Sequence, residues 1–403
     1  MRLISKGKSP FNPGQPVPLD LFVGRQTQID HILIRGVGQV EAGKPVAMYI
    51  QGEYGIGKSS IAGFVQALAE KQNHLHGIYA PLGAAETLDD VGAAILEATL
   101  RSGAFNPSRE EKIRQWLARY IGEQSLFGLT IRADALKKEA PTVASGLLPF
   151  LQEVMNRLQD PGVKGIFLVL DEINGITANP KFAHFLKALV DTNALSRTPL
   201  PLLLMLCGVE ERRREMIRHH QPVERIFDII EIEPMSFEEM EAFFTKAFTS
   251  ARMRVAPDAM RAMTAYSAGF PKIMHLIGDA AFWLDQDGVI SENDVGPAII
   301  MAAEEVGKKF VDQQVYKALR SADYHSIFAK IAQMEPAAMS FKRAEVVSGL
   351  TETEKRKFDN FLQKMKSLKV IRAGDVQGEY VFNMRMVRLY IWLQSMQPKQ
   401  LKK

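Results

Sequence analysis

Residues 52–59 read Gly52-Glu53-Tyr54-Gly55-Ile56-Gly57-Lys58-Ser59, the pattern G-x4-G-K-S. The stretch follows a short apolar run at 46–51 (VAMYIQ) and opens a helical pattern over 59–72. Glycines let the backbone curl until successive N–H groups face inward as an anion nest. A helix start at the same point adds partial positive charge. In such a loop Lys58 reaches the β- and γ-phosphates of a nucleotide, and Ser59 ligates Mg2+. The candidate nucleotide-binding set is therefore Gly52, Tyr54, Gly55, Ile56, Gly57, Lys58, Ser59 and Ser60, with ATP or ADP and Mg2+ as expected ligands. The alternative is a glycine-rich turn with no ligand, and the strand–loop–helix context argues against it.

Working outward, further strand signals fall at 77–82, 165–170 (GIFLVL), 201–207 (PLLLMLC) and 226–232. Continuous apolar runs suit strands buried on both faces of a parallel sheet. Helical patterns at 26–40, 59–72, 88–101, 110–120, 143–158 and 182–190 alternate with them, and 126–131 reads as a short strand within an insertion. The expectation is an α/β fold with a parallel sheet. From Ser236 the strand signal stops. Helices are expected at 236–248, 257–266, 271–284 and 291–305, the first opened by a Ser236–Glu239 capping box. Segments 325–333, 341–348 and 353–368 read as three helices, followed by a strand–turn–strand over 370–382 with Gly374, Asp375 and Gly378 at the turn. That order predicts a winged helix. Three parts follow: 1–235, an α/β core with a proline-rich lead-in; 236–305, a helical lid; and 306–403, a linker helix and winged helix.

Asp171-Glu172 closes the GIFLVL run. A carboxylate at the end of a buried parallel strand lies at the sheet edge that carries the phosphate loop. Asp171 is expected to hold the Mg2+ shell and Glu172 to polarise a water for attack on the γ-phosphate. A helix N-cap is the alternative role for this pair.

The 403 residues carry a net charge of +4. Residues 301–403 hold +8 of it, leaving −4 on the rest. A basic terminal domain on a mildly acidic body points to a polyanionic partner. A single cysteine, Cys207, excludes an internal disulfide and a cysteine-based zinc site. The longest apolar stretches fall short of the roughly 18 residues a membrane helix needs. The first residues have no apolar core like that of a secretory signal, so a cytoplasmic protein without a membrane partner is expected. His219-His220 are adjacent and cannot share a helix face, and no metal-ligand spacing appears among the histidines.

The sequence resembles the AAA+ ATPases of the origin-recognition initiator type, and the related prokaryotic STAND-like ATPases, over roughly residues 9–395. Besides the two motifs above, four features carry the likeness. In LFVGR (21–25) the resemblance implies that Phe22 and Val23 contact adenine. Arg225, in VERIFDIIEIEP, matches an arginine that reaches the γ-phosphate of a neighbouring subunit. Arg212, Arg213, Arg214 and Arg218 on the preceding helix are the competing assignments. In GFPK (269–272), Pro271 and Lys272 match a lid segment that senses nucleotide, although Lys272 offers a point charge where an arginine is common. Cys207 stands where a polar sensor is usual. It is either a weak hydrogen-bond donor there or a small core thiol.

The resemblance implies an ATPase with Lys58, Asp171, Glu172 and Arg225 as its catalytic residues. It also implies a homo-oligomer and either double-stranded DNA or a separate partner protein. For DNA, the helix at 351–369 offers Lys355, Arg356, Lys357, Lys364 and Lys366 to phosphates, Asn360 and Gln363 to bases, and Arg372 from the wing. Two readings stand: a DNA-associated switch, and a signalling or defence switch acting through a partner protein.

Overall fold

Five apolar runs become the strands of one sheet. In the computed structural model these are β1 (Val46–Gly52), β2 (Leu75–Pro81), β3 (Gly165–Asp171), β4 (Leu202–Gly208) and β5 (Asp228–Ile232), all parallel, in the order β2-β3-β4-β1-β5. The structure describes residues 6–14, 18, 21–102, 143–158, 162–319, 321–334, 339–368, 370–374, 376–383 and 385–396. The elements expected at 110–120 and 126–131, and the turn residue Asp375, lie outside them. The chain divides into two units: residues 16–233, and residues 1–15 together with 234–403.

In the first unit, β3 and β4 are buried at every residue, as unbroken apolar strands between two helical layers must be. The helices are α1 (Gln26–His31) and α2 (Gly38–Glu41), joined by a π-helical stretch at Ile32–Val37, then α3 (Lys58–Gln72), α4 (Leu88–Arg101), α5 (Val143–Arg157), α6 (Pro180–Ala194) and α7 (Glu210–His219). A capping box between Thr87 and Asp90 starts α4, and Asn179 with Pro180 at the first turn starts α6. Tyr49, Ile78, Leu168, Phe182, Leu186 and Leu204 belong to the core of this unit.

The second unit begins with α8 (Phe237–Ser250), α9 (Pro257–Ser267), α10 (Pro271–Leu284) and α11 (Glu292–Val306). Ser236 and Glu239 form the expected capping box. Contrary to expectation, strands do not stop at Ser236. Arg254–Val255 (β6) and Val289–Ile290 (β7) make a two-residue parallel pair, too short to show an alternating pattern in sequence. The described residues 6–14 of the lead-in belong to this unit. Phe11 is buried against the rings of Phe248 (4.9 Å), Phe243 (6.0 Å) and His275 (6.1 Å). The Asn12 N–H donates to His275 Nδ1 at 3.0 Å, and Lys6 donates to the carbonyls of Phe282 and Asp285. Burial lowers His275 to about 4, and its buried Nε2 has no hydrogen-bond partner.

The remainder comprises a π-helical Gly307–Tyr316, then α12 (Ala322–Ala332), β8 (Ser340–Lys342), α13 (Arg343–Ser348), α14 (Glu352–Ser367), β9 (Ile371–Ala373), β10 (Glu379–Phe382) and α15 (Arg385–Met396). The small sheet is antiparallel, ordered β8-β10-β9. Phe341, expected to begin a helix, instead lies in β8 opposite Tyr380, and the two rings stack at 5.6 Å. Long-range pairing outweighs local periodicity there. The Arg388 side chain is buried and donates to the carbonyls of Ala332 (3.1 Å) and Met334 (2.7 Å). Burial lowers its pKa. The Tyr390 ring lies against Gly307 and its hydroxyl donates to Asp312 at 3.0 Å. Through α15 and α11, the expected lid and the C-terminal elements share one contact network.

A Cβ on Gly278 would stand 2.3 Å from the Phe11 ring. Gly278→Ala should cost about 1–3 kcal/mol of unfolding free energy by chemical denaturation. In a Phe11→Ala background most of that cost should vanish; an additive pair would refute the contact. His275 generates a pH dependence. Its folded pKa lies below the unfolded value, so its contribution is complete above about pH 6.5 and is lost as pH falls toward about 4. The stability gap between wild type and His275→Gln should change across that window, by up to about 3 kcal/mol. A gap constant from pH 7 to 4 would refute it.

Candidate nucleotide-binding site

Parallel strands deliver their C-terminal ends to one edge. β1 ends at Gly52 and β3 at Asp171, with β4 between them in the sheet. Two strand spacings separate the loop from the acidic pair, about 10 Å. The loop turns at Gly55 and Gly57, with φ of 80° and 100°, a region open to glycine without a Cβ penalty. Gly57 is the N-cap of α3, which Lys58 begins. A Cβ on Gly52 would stand 2.8 Å from the Ile232 carbonyl oxygen, so the loop base admits no side chain.

The Lys58 ammonium donates to the carbonyls of Gly52 (3.1 Å) and Glu53 (2.8 Å), folding back over the loop. Burial lowers its pKa, while Asp171, Glu53 and Glu172 pull it upward. Asp171 is 4% exposed. Its Oδ2 accepts from the Tyr79 hydroxyl at 2.5 Å and its Oδ1 from the Glu172 N–H at 2.8 Å. Burial drives the Tyr79 pKa up and Asp171 adds to it, so the phenol stays a donor. Cys207 is fully buried and interacts with Asp171, and burial, then that charge, raises its thiol well above the usual value. Glu172 has φ of 56°, a left-handed backbone rare for a glutamate. A Cβ on Gly83 would stand 2.5 Å from the Glu172 carboxylate, which therefore lies over that glycine.

Lys58, Ser59, Asp171 and Glu172 thus lie at one edge of the sheet. Ile56 is buried, whereas Tyr54 is 67% exposed. Phe22 stacks on Phe64 of α3 at 4.2 Å, which places the LFVGR turn on the helix that the loop opens. Arg225 is not brought to this edge. It ends a 3-10 turn just before β5, at the N-terminal edge of the sheet. Pro271 and Lys272 begin α10 in the other unit, with Pro271 in the first turn. Sequence reasoning missed Tyr79 and Arg25. Arg25, buried and at φ of 63°, donates to the Ile56 carbonyl at 3.3 Å and to the Glu233 carbonyl. Tyr79 belongs to no motif, Arg25 closes LFVGR without a role of its own there, and both act across the fold.

The site suits a magnesium nucleotide. A loop turning at two positive-φ glycines onto a helix N-terminus, a lysine, a hydroxyl and a buried carboxylate provide donors for phosphate oxygens and oxygen ligands for a hard cation. No cluster of three or more His, Cys, Asp or Glu residues suited to holding a metal occurs among the described residues.

On the C-terminal elements, several cations of α14 are already engaged. Lys357 pairs with Asp323, Lys355 with Glu352 at 2.8 Å, and Lys366 lies over the Tyr380 ring at 4.9 Å. Arg343 pairs with Asp359 at 3.0 Å. Glu354 caps the helix and accepts from Lys330 at 2.6 Å. Burial raises its pKa, but the hydrogen bonds from Lys330 and the Thr351 cap prevail and hold it at about 2. Arg356, Asn360, Gln363 and Arg372 are exposed.

No protein-family model matches the chain, and no curated protein does. Solved structures do. The Walker-type ATPase paby2304 of Pyrococcus abyssi superposes with a TM-score of 0.57 at 15% identity, covering 92% of this chain and 96% of its own. The Aeropyrum pernix ORC2 protein, solved as ADPNP–ADP complexes, gives 0.53 at 14% identity over 96% and 97%. The Aeropyrum pernix ORC1 protein, solved with DNA, gives 0.50 at 14% over 93% of each chain. The fold is therefore an α/β architecture with a five-stranded parallel sheet, similar to that of these ATPase and ORC structures. No helix among the described residues is long and apolar enough to cross a membrane.

Arg25→Ala would leave the Ile56 carbonyl without its guanidinium donor. The expected loss is about 1–3 kcal/mol of stability in a denaturant titration. Wild-type stability in this variant would show that the contact carries no energy.

Proposed function

We propose that the chain is a magnesium-dependent ATP-binding and ATP-hydrolysing switch. The observation that carries this is the convergence of Lys58, Ser59, Asp171 and Glu172 at one sheet edge, with Asp171 buried and oriented. The loop N–H groups and Lys58 bind the phosphates, Ser59 and Asp171 hold the metal and its shell, and Glu172 orients and deprotonates the attacking water. Bound Mg2+ supplies neutralisation of phosphate charge. Lys58, drawn back onto the loop carbonyls, exchanges them for phosphate oxygens when nucleotide enters. Arg225, remote from its own chain's loop, acts on the site of a neighbouring copy, so hydrolysis depends on homo-oligomer assembly.

The C-terminal helices and three-stranded sheet act as a winged helix, and double-stranded DNA is the favoured partner. The basic excess of residues 301–403 supports this. The engaged state of Lys355, Lys357 and Lys366 favours a second reading, in which this face docks a partner protein. The nucleotide-bound ORC2 and the DNA-bound ORC1 structures support the first reading by analogy of fold.

Glu172→Gln should keep ATP binding and lower the turnover number by about 10²-fold or more. Lys58→Ala should abolish binding. Particle mass and turnover, measured with and without duplex DNA, separate the partners. DNA-stimulated turnover and ATP-dependent oligomers in Glu172→Gln support the DNA switch. A monomer that holds nucleotide and ignores DNA would refute it and leave the protein-partner reading.

A further inference from the structure

A buried carboxylate is positioned by the donors around it, because water is not there to solvate it. Two hydrogen bonds reach Asp171 in this chain, from the Tyr79 hydroxyl and the Glu172 N–H, and the buried Cys207 thiol interacts with it electrostatically. The Glu172 N–H belongs to the adjoining peptide and follows Asp171 wherever it goes. Cys207 lies on β4, the strand between the loop-bearing β1 and the acid-bearing β3, but a thiol is a weak donor. Tyr79 is the strong one. It sits on β2 opposite Val169, two residues before Pro81, which pairs with Asp171. Its phenol reaches along the sheet to Oδ2 of Asp171. A hydrogen bond from a phenol to a carboxylate is charge-assisted and directional.

We infer that Tyr79 is a positioning residue of the magnesium–nucleotide site. Its hydroxyl holds Oδ2 of Asp171, at the end of β3, and sets the carboxylate where the metal shell needs it. The side-chain donor to the acid therefore comes from β2, on the far side of β3 from the loop-bearing β1. This deepens the nucleotide reading above and rests on it.

The test is the Mg2+ dependence of binding of a fluorescent, non-hydrolysable ATP analogue to the full chain. In EDTA, Tyr79→Phe should match wild type, which shows that the loop is intact. With Mg2+ titrated in, the variant should need about tenfold more metal for half-maximal tightening, the loss of one charge-assisted bond. In steady state, turnover should fall while KM for ATP at saturating Mg2+ stays unchanged. Adding Cys207→Ser, a hydroxyl donor on the neighbouring strand, should recover part of the deficit. A wild-type or tightened Mg2+ dependence in Tyr79→Phe would overturn the inference, as would an equal loss with and without metal. A wild-type chain that binds no analogue in either condition would instead overturn the nucleotide reading, and Tyr79's role with it.

Discussion

The structure depends on the parallel register of β3, β4 and β1. Because all three run the same way, the loop after β1 and the carboxylates after β3 emerge at one edge, and every apolar residue of β3 and β4 is committed to the core. The site is thus a by-product of sheet geometry. Moving one strand by a residue would turn its whole side-chain set to the other face and carry Asp171 out of reach of Tyr79. The same constraint sends Arg225 to the opposite edge, since a residue preceding a strand of this sheet cannot share an edge with one that follows a neighbour.

Much of this was legible in the sequence. A G-x4-G-K-S stretch between a strand and a helix, and acids at the end of GIFLVL, each encode a local geometry, so reading along the chain suffices. The contacts that were not legible are those made across the fold. Tyr79 looks like any aromatic on a strand until β2 is paired with β3. Arg25 looks like part of a turn until its guanidinium finds the Ile56 carbonyl. Phe341 reads as the first turn of a helix until Tyr380 arrives beside it. The β6–β7 pair is two residues long on each side and carries no periodicity to read.

Electrostatics separates the two ends of the molecule's chemistry. Asp171 is buried and its carboxylate is held by two donors, so each of those hydrogen bonds has weight. Along α14 the charges are many, and pairs such as Lys355–Glu352 and Lys357–Asp323 lie at the surface, where solvent screens them. A polyanion approaching that helix competes with the chain's own Asp323 and Glu352, so net charge overstates the cations on offer.

Phe11 and its neighbours have a consequence for biosynthesis. The Asn12 N–H meets His275 across 263 residues of chain. At about 5–20 residues per second, roughly 15–50 s of translation separate the strap from the ring it needs. Residues 16–233 contain every strand of the large sheet and leave the ribosome within that interval, so they are free to fold as an insertion between the two halves of an unfinished helical unit. A folded insert spares the strap much of the loop entropy of an open chain. Until α8 and α10 are made, the nascent protein carries Phe11 as an uncovered apolar side chain.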